Sequence, residues 1–255
     1  MTRHSRAPAL PWLEPGQAFP SVASAWGADD PAPGLLAAGA ALDVPTLLAA
    51  YGQGIFPWYS EGQPPLWWSP DPRMVLQVAD FRLHDSLRKP LRSGLRQQRI
   101  TVRFDQDFSS VIRHCAATPR HCQHGTWILP EMVAAYEALH RAGHAHSVET
   151  WWDGELAGGL YCVNLGGMVF GESMFSHRSN ASKVALAALV AFCRSQGLAA
   201  IDCQQNTAHL ASLGAREMDR SRFVHQVQQA TTQATPVWRF LSVYWNHLLP
   251  AHEST

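Results

Sequence analysis

Asp202 and Gln204 stand two residues apart in IDCQ, a short apolar run of buried-strand type, so regular alternation places both side chains on one face. A carboxylate beside an amide can orient an amine and take a proton from it. An isolated Asp-x-Gln is more often a buried carboxylate satisfied by backbone donors at a strand end. Glu172 lies in FGESMFS among apolar residues, where a carboxylate must be paired or hydrogen-bonded to be tolerated. It is a candidate to hold an amine or a ribose, or to pair with an arginine. Leu160, Met174, Phe175 and Val184 are either core or the lining of an apolar side-chain pocket, and a flexible Met would accept unbranched and aromatic groups alike. Trp58, Trp67, Trp68 and Trp127 are either core or surface packing or candidates to stack on an unpaired base, the usual grip on single-stranded RNA ends.

Two further clusters carry charge or ligand types. Residues 82–103 hold Arg82, Arg88, Lys89, Arg92, Arg96, Arg99 and Arg103 against the single acid Asp85. Arg88, Arg92, Arg96 and Arg99 fall on one helix face if the helix runs past Gly94. Such a stripe contacts phosphates or is simply a solvated face; the concentration in a chain of zero net charge favours phosphates. The stretch RHCAATPRHCQHG, 113–125, offers His114, Cys115, His121, Cys122 and His124, but its spacing matches no zinc signature, and no metal is expected there.

These residues need elements to hold them. Asp43 and Pro45 predict a helix over 44–51. The proline-rich segment 54–73 predicts a rigid, irregular loop. Strands are predicted at 75–78 and 100–104, with a basic helix over 84–98 between them. Pro130 opens a helix that Gly143 closes. A meander follows: strands 146–152, 155–163 and 168–176, joined by turns at Asp153-Gly154 and Asn164–Gly167. A helix over 181–196, stopped by Gly197, leads to a strand at 198–204 and a short helical piece near 207–213. Hairpin strands, a crossover helix and another strand make an α+β layout, and this order resembles the mixed α/β fold of N-acetyltransferases (the GNAT type). Residues 1–17 read as a loose N-terminal extension, 18–73 as a small N-terminal domain and 74–248 as the acetyltransferase-like catalytic domain.

The runs WWSPDPR, GTWI, GHAHSVE, GESMFS, NASK and IDCQ, in this order, closely resemble the leucyl/phenylalanyl-tRNA–protein transferase family, from about Phe19 to Phe223. Two departures are visible: Cys162 stands where Gly is usual, and Ala40-Ala41 where Gly-Asp is common. The resemblance implies transfer of Leu, Phe or Met from aminoacyl-tRNA to proteins beginning with Lys or Arg, marking them for N-end-rule degradation. It implies catalytic roles for Asp202 and Gln204, and substrate binding by Glu172; Leu160, Met174 and Phe175, from their apolar character, are the candidates to line the pocket for the donor side chain. Trp58 and Trp127 would sandwich the terminal adenosine, while Arg88, Lys89 and Arg92 would meet acceptor-stem phosphates. No cofactor or metal is implied. An acyl-CoA N-acetyltransferase would need a glycine-containing pyrophosphate loop, and HRSNASKVAL lacks both glycines. A non-catalytic RNA-binding module would leave Asp202, Gln204 and Glu172 without purpose.

Composition sets the outer bounds. The 255 residues suffice for one large domain or two small ones, and 46% hydrophobic residues support a sizeable core. A net charge of +0 argues against a protein that coats nucleic acid by bulk charge. No run of about 18 apolar residues occurs and the first residues lack a signal-peptide core, so a soluble cytoplasmic protein with no membrane partner is expected. The five cysteines, Cys115, Cys122, Cys162, Cys193 and Cys203, suit reduced thiols. The expected oligomeric state is a monomer.

Overall fold

A computed structural model describes residues 9–118 and 128–249. In chain order its elements are β1 (Trp12–Leu13), β2 (Leu35–Gly39), α1 (Val44–Tyr51), β3 (Phe56–Pro57), β4 (Leu66–Trp68), β5 (Arg73–Gln77), α2 (Asp85–Arg96), β6 (Ile100–Phe104), α3 (Phe108–Ala117) and α4 (Pro130–Arg141). Then come β7 (Ala145–Trp152), β8 (Glu155–Leu165), β9 (Met168–Ser176), α5 (Ala181–Gln196), β10 (Ala200–Gln204), α6 (Ala208–Ser212), β11 (Arg216–Met218) and α7 (Arg220–Thr231).

Local chemistry explains the ends of several elements. Asp43 caps α1, its carboxylate accepting from Thr46 N at 2.9 Å. Gly197 closes α5 in the left-handed region at φ 71°. Helix α2 continues through Gly94, whose missing side chain lets it lie against Ile100: a Cβ there would come within 2.4 Å of the isoleucine Cδ1. The helix stops at Arg96, so Arg99 does not extend the basic face; it pairs with Asp153 at 2.9 Å instead.

Two sheets result. The smaller runs β1-β2-β4-β3 and the larger β11-β5-β10-β9-β8-β7-β6. The predicted meander β7–β8–β9 is antiparallel throughout, and α5 then crosses over to bring β10 parallel to β9. This is the α+β layout expected from the sequence: a small N-terminal sheet beside a mixed sheet domain. Two local expectations differ. Trp12–Leu13, placed in a loose extension, pairs with Ala38–Gly39. The 54–73 segment contains β3 and β4, which pair through Phe56–Trp68 and Pro57–Trp67 before a cis Asp71–Pro72 bond.

Strand alternation divides the core between the faces of the large sheet. Met168 and Phe170 join one cluster with Tyr51, Trp67, Ile112, Tyr136 and Phe223. Val169 joins the other with Leu91, Leu160 and the apolar face of α5. The first cluster is continuous with the small sheet, through Leu36, Ala37 and Trp67.

Two irregularities in adjoining strands prepare the site. Across β8 and β9, Tyr161 faces Ser173 and Cys162 faces Gly171, so Glu172 is the extra residue of a bulge. Across β5 and β10, Asp202 faces Val75 and Gln204 faces Met74, which leaves Cys203 as the extra residue. Pairing of β9 with β10 covers Val169–Ile201 and Phe170–Asp202. From Gly171 and Cys203 onward the two strands are no longer paired, and both line a cleft.

Candidate active site

The cleft has a volume of about 370 Å³. Leu160 and Met174, paired across β8 and β9, line it together with Leu186 and Leu189 of α5. Glu172, Asp202 and Gln204 are the polar groups of its lining near the β9–β10 fork, which Trp58, next to β3, and His209 and Leu210 of α6 also line. Phe175 faces away from Met174, because neighbours in a strand point to opposite faces, and its ring lies against His114 at 4.9 Å. Val184 is buried within the α5 core and does not reach the cleft.

Asp202 is fully buried and gripped by Arg73, with Nε donating to Oδ1 at 2.8 Å and Nη2 to Oδ2 at 2.6 Å. The guanidinium in turn sits between the rings of Phe56 and Phe223, 4.6 Å from each centroid. Oδ1 of Asp202 also accepts from the backbone N of Gln204 at 2.9 Å. That bond, together with the bulge, sets Gln204 at φ 61°, so simple alternation does not hold here. The Gln204 amide consequently reaches across the fork and donates to Glu172 Oε1 at 3.2 Å.

Glu172 is partly buried and surrounded by neutral donors. Tyr51 at the end of α1 donates to Oε1 at 2.7 Å, and Tyr136 of α4 donates to Oε2 at 3.1 Å. The two phenols also touch each other. Burial raises the Glu172 carboxyl from 4.5 to about 7, against the opposing pull of the two tyrosines. Burial, and then the charge of Glu172, push both phenols well above their ordinary value of 10.0. The arginine partner considered for Glu172 exists nearby, but it is committed to Asp202.

Arg73, Tyr51 and Tyr136 are the site residues that the sequence reading missed. Each lay in a recognisable place: Arg73 ends the WWSPDPR run, Tyr51 ends the capped helix, and Tyr136 faces inward one turn and a half into the Pro130 helix. The tryptophans separate clearly. Trp67 is fully buried and donates to the Gly39 carbonyl at 2.8 Å. Trp68 packs edge-on against Trp58, and only Trp58 of the three lines the cleft. Trp127 lies outside the described residues, as do His121, Cys122 and His124.

The basic helix adjoins the site at its start. His84, just before α2, meets the Ser212 carbonyl of α6 at 2.8 Å through Nε2. Arg88 pairs with Asp85 at 2.9 Å, Lys89 is exposed, and Arg92 is half-buried. One group of metal-ligand types occurs elsewhere among the described residues: Asp105, His140 and His146. Nδ1 of His140 donates to the Ala145 carbonyl at 2.7 Å, and Nδ1 of His146 faces the Asp105 carboxylate at 2.7 Å. Both atoms are thereby engaged within the protein.

A family model described as leucyl/phenylalanyl-tRNA protein transferase matches residues 75–228, and the model of that family's N-terminal domain matches residues 40–71. The chain is 61% identical over 246 residues to the leucyl/phenylalanyl-tRNA–protein transferase of Polaromonas sp. (strain JS666), with 96% of each chain covered. It is 59% identical over 245 residues to that of Albidiferax ferrireducens, again with 96% of each covered. Against that of Burkholderia pseudomallei it is 57% identical over 231 residues, covering 91% of each. With more than half of its length matched and relatives of this identity, the chain belongs to the leucyl/phenylalanyl-tRNA protein transferase family.

Proposed function

We propose that the cleft seats the aminoacyl end of a charged tRNA and presents its ester to the N-terminal amine of a protein beginning with Lys or Arg. The observation that carries this reading is the cleft's lining: Leu160, Met174, Leu186 and Leu189, which pack in one apolar cluster, share it with the hydrogen-bonded polar pair Glu172 and Gln204. A Leu, Phe or Met side chain fits the first, and an ester and an amine fit the second. A pocket of this kind separates such side chains by only about 1–3 kcal/mol per methylene, which suits several donors.

The reaction is aminolysis of an ester that is already activated. An α-amine with a pKa near ~8 is partly neutral at physiological pH. Placing amine and ester together can supply roughly 7–11 kcal/mol of the barrier. In this reading Asp202, fixed by Arg73, holds the backbone of Gln204, and the Gln204 amide orients the reacting groups beside Glu172. Trp58 stacks on one face of the unpaired terminal adenosine, and Trp127 is assigned the other face. Arg88, Lys89 and Arg92 meet acceptor-stem phosphates; α2 starts beside α6, which lines the cleft. The protein acts as a monomer in the cytoplasm, where charged tRNA is made, and its product enters N-end-rule degradation.

The acetyl-CoA alternative loses ground at the start of α5. The N–H of Ala181 is taken by the Arg178 carbonyl at 3.1 Å, and that of Ser182 by Ser176 Oγ at 2.9 Å. Those donors are the ones a pyrophosphate would need.

The test is transfer of labelled Phe from Phe-tRNA to short peptides. The expected result is product with peptides starting in Arg or Lys and none with those starting in Ala or Asp. Discharge to water alone, or equal transfer to all peptides, would contradict the reading.

A further inference from the structure

Three oxygen-bearing groups meet in a closed ring, of which Glu172 lines the cleft and the two tyrosines lie buried behind it: Glu172 with Tyr51 at 2.7 Å, Glu172 with Tyr136 at 3.1 Å, and Tyr51 with Tyr136. Each contact needs one hydrogen between its oxygens. The two phenols supply two hydrogens for three contacts, and neither phenol ionises readily in this setting. With Glu172 ionised, one contact of the ring is therefore left without a hydrogen. One proton on Glu172 completes it, through rotation of hydroxyls alone and no movement of heavy atoms. The ring accommodates both forms of the carboxyl.

Asp202 has no such freedom. Both of its oxygens accept from Arg73, and Oδ1 accepts also from Gln204 N. Protonating it would strand a buried guanidinium, which does not lose its own proton. We propose that Glu172, closed into this ring by Tyr51 and Tyr136, is the proton shuttle of the transfer reaction, and that Asp202 never exchanges a proton during turnover. The inference rests on the cleft being the aminoacyl site.

The step balances without a co-reactant. The neutral amine attacks the ester carbonyl carbon and a C–N bond forms. Glu172 takes one N–H proton from the ammonium of the tetrahedral intermediate. As the intermediate collapses, the bond from carbon to the ribose oxygen breaks, and Glu172 returns that proton to the leaving oxygen. One proton has moved from nitrogen to oxygen and the carboxylate is regenerated. Tyr51 and Tyr136 are positioning residues in this scheme.

The groups facing Glu172 set where the shuttle titrates. They are Tyr51 from α1, Tyr136 from α4, Arg73 from β5, Cys162 from β8, and Asp202 and Gln204 from β10. Burial raises the carboxyl most, and Asp202 raises it further; Tyr51, Tyr136 and Arg73 lower it, with a balance at about 7.

Single-turnover transfer from saturating Phe-tRNA to an Arg-starting peptide, followed from pH 5 to pH 9, tests this. The wild type is expected to show two ionisations, the amine near ~8 and Glu172 below it, hence a log-rate slope of two at the acid end. Glu172→Gln should fall about 100-fold or more at pH 8 and keep a slope of one. Asp202→Asn should keep a slope of two, with the lower ionisation moved to more acid pH. Tyr136→Phe should also keep a slope of two, with that ionisation moved to more alkaline pH, and it decides the matter should Asp202→Asn not fold. A slope of two in Glu172→Gln, or of one in folded Asp202→Asn, would overturn the shuttle while leaving the transfer reading intact. Absence of any transfer by the wild type would overturn both.

Discussion

Arg73 and Asp202 share one buried ion pair, and each is tolerated only because of the other. Arg73 is 1% exposed and Asp202 0%. Replacing Arg73 by Met should therefore cost about 3–5 kcal/mol in urea unfolding, since it leaves an uncompensated carboxylate inside the protein. The double variant Arg73→Met, Asp202→Leu should recover most of that loss. A double variant as unstable as the single would show that packing, not charge, sets the cost. The tryptophans separate in the same way. Trp58→Ala should weaken binding of an aminoacyl-adenosine analogue by roughly 1–3 kcal/mol with little change in stability. Trp67→Ala should instead cost about 3–5 kcal/mol of stability. Calorimetric titration and unfolding curves read the two effects. At this scale the sequence made the chemistry of Glu172, Asp202 and Gln204 visible but not their partners. Arg73 lies 129 residues from Asp202, and Tyr51 lies 121 from Glu172. Periodicity and spacing carry no information across such separations.

Elements with strong local signals were the legible ones. Helix α1 was fixed by its Asp cap and proline, α5 by its closing glycine, and β7–β9 by their turns. The bulges at Glu172 and Cys203 were not, because a bulge is a mismatch between two strands and neither strand records it alone. Expecting Phe175 in the pocket beside Met174 broke the two-residue period of a strand, and the structure shows the consequence. Helix α3 has neither an opening proline nor a closing glycine to announce it, and its Cys115 is a small core residue rather than a ligand. Ala40, one of the two family departures, has φ 60°, a conformation that Gly adopts without penalty. The basic helix yields a prediction of its own. Neutralising Arg88, Lys89 and Arg92 should weaken tRNA binding and flatten its log–log salt dependence by about 0.7–0.9 for each phosphate no longer neutralised. Arg99→Gln should leave the slope alone, since Arg99 lies beyond the helix and is held by Asp153. Filter binding across a salt series distinguishes the two outcomes, and an unchanged slope in the triple variant would make α2 a solvated face.

For the molecule as a whole, the site is held at a cost in stability that depends on pH. The Glu172 carboxyl ionises around 4.5 when unfolded and around 7 when folded. Between those values the folded state binds more protons, so this group's contribution to stability improves as pH falls through 7 and is free of penalty below 4.5. Above 7 the penalty is complete, on the order of 3 kcal/mol. Glu172→Gln should therefore stabilise the protein at pH 8 and leave it nearly unchanged at pH 4.5, as unfolding midpoints at the two values will show. The cores add a second constraint. The small sheet shares one apolar cluster with α1, α3, α4 and a face of the large sheet, so the Trp58 side and the Glu172 side of the cleft are fixed by common packing. The most direct test of the account is the crystal structure of the protein bound to a phenylalanyl-adenosine amide, in which a stable amide replaces the ester. The phenyl ring is expected among Leu160, Met174, Leu186 and Leu189, the adenine against Trp58, and the carbonyl within hydrogen-bonding reach of the Gln204–Glu172 pair. A ligand seated outside this cleft, or one reversed within it so that the adenine takes the place of the phenyl ring, would contradict it.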